Sequence, residues 1–145
     1  MPSLKTLLLI VVPVAAAMAA TTRISTDKPV VNFSTSTFTS DGYRSWLLRA
    51  SQAQPGQDRI NVTELTLSIF PGKADGEKVE TMILSPTATV LPDDSVVTGK
   101  STNRVLNDEF EATGTDWRYT HKERRVTIAK NVHVIFHAEL KEFLK

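Results

Sequence analysis

The chain contains no cysteine. Disulfides, thiolate nucleophiles, cysteine-ligated zinc and iron–sulfur clusters are therefore excluded, and so is a lipoprotein anchor built on a cysteine. There is no excess of either charge: 17 basic and 16 acidic residues give a formal net charge of +1. Such a chain has no global field to gather a polyanion, so nucleic-acid binding lacks its usual electrostatic basis. No phosphate loop, dinucleotide fingerprint or nucleophile elbow occurs. Helical periodicity is hard to find before Ala138. The longest apolar run, residues 7–20, is short against the roughly 20 residues of a membrane span, and Pro13 interrupts it.

That run has the layout of an export signal. Lys5 precedes Leu7 to Val12, and an alanine-rich stretch ends in Ala17-Met18-Ala19, a small-x-small cleavage pattern. Residues 1–20 are thus expected to be a cleaved signal peptide or an N-terminal membrane anchor. Either one delivers the remainder across the membrane, to the periplasm in a bacterial envelope. Residues 21–40 are rich in Ser and Thr and thin in large apolar side chains. They read as an entry segment carrying at most one edge strand, because Pro29 cannot donate to a central ladder. Residues 41–145 read as a single β-domain.

The 145 residues are 41% apolar and 23% charged, an ordinary globular balance. From Tyr43 onward apolar residues alternate at period two, which places each set on one face of a sheet. Ile60 and Val62 have one parity and Leu65, Leu67 and Ile69 the other, which predicts a bulge near Thr63-Glu64. Turn signals recur at Pro55-Gly56, Pro71-Gly72, Ser85-Pro86, Pro92-Asp93, Gly99-Lys100, Asn107-Asp108, Gly114 and Lys130-Asn131. Spacing of this kind points to an all-β sandwich, roll or barrel. Residues 138–145 fit a helical turn or a continued edge strand equally well.

Catalytic constellations are poor. His133 and His137, four apart on a strand, would stand roughly 13 Å from one another, too far to share an ion. They read as surface histidines. Asp93-Asp94 follows a proline, as in an ordinary turn, and Glu109 and Glu111 flank Phe110 on an outer face. His121, Lys122, Arg124 and Arg125, with Glu123 among them, read as a solvated turn. No catalytic residue, metal ligand or cofactor is expected.

What remains is an apolar set: Leu65, Leu67, Ile69, Met82, Leu84, Val90, Phe110, Trp117, Val126, Ile128, Val132, Val134 and Phe136. These residues either pack as a core or line a groove for acyl chains, and alternation alone does not separate the two.

Three segments resemble a known family. Met82-Ile83-Leu84-Ser85-Pro86-Thr87-Ala88 is similar to a strand of LptC-like proteins. The run Phe110 to Tyr119, with Ala112, Gly114, Asp116 and Trp117 inside it, resembles a second. Arg125 to Val134, with Asn131 and Val132, resembles a third, shared with LptA and OstA-type domains. The resemblance spans about Gly42 to Phe136. It implies an open, twisted β-jellyroll in lipopolysaccharide export, whose apolar interior carries lipid A acyl chains. It also implies an inner-membrane lipopolysaccharide ABC transporter as one partner. An LptA-like jellyroll would be another, joined by edge-strand addition, with the edge near Val132 to Phe136 facing it. A non-catalytic envelope scaffold or adhesion domain with a packed core is the alternative, and an envelope hydrolase is a distant third.

Overall fold

A computed structural model describes residues 28–137. The signal or anchor reading of residues 1–20 and the two readings of residues 138–145 fall outside them. The described chain is all-β. Its strands are β1 (Val30–Phe38), β2 (Arg44–Pro55), β3 (Ile60–Ile69), β4 (Thr81–Leu91), β5 (Val96–Gly99), β6 (Asn103–Leu106), β7 (Phe110–Thr120) and β8 (Arg125–Phe136). All pairings are antiparallel, and every consecutive pair of strands except β5 and β6 lies side by side in one sheet. β5 and β6 together fill one strand's place: both pair with β4 on one side and with β7 on the other. Among the described residues, β1 and β8 are the two edges. No described helix is long and apolar enough to cross a membrane.

β1 lies within residues 21–40, the segment read as carrying at most one edge strand. It pairs with β2 along most of its length, from Val30↔Ala53 to Phe38↔Arg44. The Ser/Thr-rich segment therefore contributes a full edge strand to the sheet. Its many β-branched threonines suit an exposed pleat.

The sheet carries a crease that runs across the strands. β2 buries Trp46, Leu48 and Ala50, then changes parity to Ala53. β3 buries Val62, then Leu65, Leu67 and Ile69; β4 buries Ile83 and Ser85, then Ala88 and Val90; β7 buries Ala112, then Trp117 and Tyr119. These changes are aligned, since Ala53 pairs with Val62, and Val62 with Ala88. No residue is inserted at Thr63-Glu64, because the β2–β3 and β3–β4 registers are continuous there. Glu64 instead takes a left-handed conformation, φ 53°, so the expected bulge is a parity change without a register shift. The β3–β4 pairing skips Glu64 opposite Pro86, where proline has no N–H to give. Asn32, Asp116 and Asn131 are also left-handed, with φ 54°, 51° and 53°. Near Asn131 the β7–β8 register does slip by one.

Three of the expected turns are part of this crease. Ser85-Pro86, Gly114 and Lys130-Asn131 lie inside β4, β7 and β8. The other signals do fall at turns or at the β5–β6 break. The crease brings both parts of the sheet onto one core. Trp46, at one end of β2, lies 6.3 Å from Tyr119, at the far end of β7. Leu48, Leu67, Ile83, Val97 and Trp117, drawn from both sides of the crease, belong to a single buried cluster. Burial of each large side chain stabilises the fold by roughly 1.5–3 kcal/mol.

Candidate functional site

A cavity of about 410 Å³ opens beneath β8. Val105 and Ala112, 2% and 5% exposed, form its deep part, while Val132 and Val134, 53% and 40% exposed, form its lip. Phe110, Val126, Ile128 and Thr81 complete the walls with Asn107 and Arg124. Phe110, Val126 and Ile128 also pack against the buried core, so the cavity is a lateral extension of it. β8 presents Val126, Ile128, Val132 and Val134 at even positions throughout. The register slip at Asn131 lets it keep one parity while β7 changes. Phe136, 70% exposed, stands edge-on to Phe110 at 6.4 Å and extends the apolar surface to the end of the strand.

The thirteen residues singled out from the sequence divide three ways. Phe110, Val126, Ile128, Val132 and Val134 line the cavity and Phe136 adjoins it. Leu65, Leu67, Ile69, Val90 and Trp117 are buried within the packed core. Met82 and Leu84 alternate with Ile83, which is fully buried, so they face away from the core. Leu84 there helps to line a second trough of about 750 Å³, which crosses β3, β4, β6 and β7 along the crease. Alternation grouped Met82 and Leu84 with the interior because Ile83 and Leu84 are both apolar, and either parity satisfies the pattern.

A polar clasp joins the β7–β8 turn to the opposite end of the sheet. His121 stacks on Trp46 with ring centres 5.3 Å apart and planes within 12°. Its Nε2 bonds to Ser45 Oγ, and its Nδ1 to Tyr119 Oη at 2.7 Å. In the neutral ring one nitrogen donates and the other accepts. Burial, with Arg124 close by, holds the His121 imidazole below its ordinary 6.5. Burial pushes the Tyr119 hydroxyl up to about 12. Arg124 Nη2 donates to the carbonyl of Phe70 at 2.9 Å and to Glu80 Oε2 at 3.2 Å. Ser45 and His121 have the contact of a nucleophile and its base. Ser45, however, is only 5% exposed, and the contact ties β2 to the β7–β8 turn. Sequence reading missed the clasp because Ser45 and His121 are 76 residues apart.

The remaining polar candidates are scattered. Glu111 is tied to Arg104 at 2.7 Å. Asp93 and Asp94 sit in the exposed β4–β5 turn, and His133 is exposed on β8. No three His, Asp or Glu side chains are grouped to hold a metal ion among the described residues.

Fold and site together define a class: an all-β protein built on one creased antiparallel sheet, with an apolar cleft beneath its last strand. Compared with known proteins, the chain matches no family model and no curated protein.

Proposed function

We propose that this chain is a non-enzymatic periplasmic component of lipopolysaccharide export, holding lipid A acyl chains in its apolar cleft. The open, twisted jellyroll implied by the LptC-like segments belongs to this reading. So do the ABC transporter and an LptA-like jellyroll as partners. The observation that carries it is the 410 Å³ cleft, walled by the apolar side chains Phe110, Val126, Ile128, Val132 and Val134. Its volume lies within the usual range for a small-molecule site. Each methylene moved into it from water contributes about 0.8 kcal/mol. Two further features support the reading. Among the described residues the outer edges of β1 and β8 are unpaired, and edges accept a strand from a partner. Both also expose apolar side chains, Val31 and Phe38 on one and Ile135 and Phe136 on the other.

The scaffold reading keeps one specific observation in its favour: Leu65, Leu67, Ile69, Val90 and Trp117 are closed off in the core. Photocrosslinking from Val134 in the envelope separates the two. Lipopolysaccharide adducts are expected at Val134, and Val134→Asp or Phe110→Asp should abolish loading while circular dichroism is unchanged. Adducts that persist in the charged variants, or none in the native chain, would leave the scaffold.

A further inference from the structure

We infer that Arg124 selects an amphiphile with an acidic headgroup for the cleft beneath β8, which rests on the lipid-holding function proposed above. Among the ten residues lining the cleft, Arg124 is the one ionisable side chain. Its neighbours Phe110, Val126, Ile128, Val132 and Val134 are apolar. A lone guanidinium at such a wall is complementary to a molecule with an apolar body and one anionic end.

Arg124 is built to offer that charge. It sits in the β7–β8 turn in a left-handed conformation, φ 50°. Its bond to the carbonyl of Phe70, a residue 4% exposed, anchors one end of the guanidinium. Each hydrogen bond from its guanidinium to the described residues uses Nη2. Guanidinium carries five N–H donors, so those on Nε and Nη1 have no acceptor among the described residues. Charged hydrogen bonds to phosphate or carboxylate are about twice as strong as neutral ones.

Glu80 is the competitor. Its carboxylate lies 3.2 Å from Arg124, with 54% of its side chain exposed. An ion pair that open to solvent is worth little and exchanges readily. A headgroup entering with its chain in the cleft therefore shares or displaces Glu80, while the Phe70 carbonyl keeps Arg124 in place. Phosphate and carboxylate heads satisfy the same donors.

Calorimetric titration of the full-length protein with dodecyl phosphate and dodecyl maltoside, both below micelle formation, tests this. The two share one alkyl chain and differ in head charge. The native protein should bind dodecyl phosphate about tenfold more tightly. Arg124→Gln should bring the two ligands level, and Glu80→Gln should strengthen the phosphate arm about two- to fivefold. Glu80→Gln leaves the Phe70 bond intact, so it carries the test if Arg124→Gln fails to fold. Inorganic phosphate in excess should not displace dodecyl phosphate; full displacement would reduce the site to a free-anion site and overturn the inference. Equal binding by the native protein, or a preference that survives Arg124→Gln, would also overturn it and leave the lipid reading standing. Binding of neither amphiphile would remove both.

Discussion

His121 is where solution conditions act most directly on this protein. Its ring is stacked on Trp46 and bonded to Ser45 and Tyr119, with Arg124 as the nearby charge. Its folded pKa lies below the unfolded 6.5, so the unfolded chain binds more protons between those two values. Stability is therefore fully present above 6.5 and falls as pH drops through that window. Protonation also turns both ring nitrogens into donors, so one hydroxyl must reverse its bond. Urea midpoints between about pH 8 and pH 5 should decline in the native chain. In His121→Gln that decline should be markedly shallower, and equal slopes would sink the account. In the sequence His121 sits among Lys122, Arg124 and Arg125 and reads as part of a solvated turn. A turn it is, but while Tyr119 is two residues away, Trp46 and Ser45 come from positions that no local window contains.

At the scale of the strand, the crease decides where each side chain goes. Gly114 lies on it, in β7, facing Ile128 and the carbonyl of Lys130 on β8. A Cβ there would press into Ile128 Cγ2 and approach that oxygen to 2.8 Å. Gly114→Ala should therefore cost about 1–3 kcal/mol, the range for overpacking, read from chemical denaturation. A loss within about 0.5 kcal/mol, as at an ordinary surface position, would mean that β8 yields freely. Strand content, the edge position of β1 and most turns were legible because alternation and proline–glycine punctuation are local signals. Ser85-Pro86, Gly114 and Lys130-Asn131 misled because glycine, proline and asparagine mark any break in regular extended backbone. The residue types are the same whether the chain reverses direction or only changes face. Only the neighbouring strands show that these breaks line up across the sheet.

For the whole molecule, the main consequence is cooperativity. Trp46 and Trp117 lie on opposite sides of the crease but in the same buried cluster. Neither side of the sheet has a core of its own. Unfolding by urea should follow one transition, coincident by tryptophan fluorescence and far-ultraviolet circular dichroism. Two separated transitions would show that the parts fold independently and that the clasp is not needed to join them.

The sequence by itself determined the class: all-β, without thiol chemistry or a nucleotide motif, and rich enough in alternating apolar residues to bury a core. Those are consequences of composition and period-two spacing, which hold wherever the strands end up. It also placed Phe110, Val126, Ile128, Val132 and Val134 on an apolar face. Only the tertiary structure separated that face into parts, closing Leu65, Leu67 and Trp117 inside while leaving β8 to wall an open cleft. It alone turned Met82 and Leu84 outward and brought Arg124 to the cleft and His121 to Ser45. Alternation states that a side chain leaves water. Which surface receives it depends on how the sheet bends, and the bend is set by contacts between strands distant in sequence.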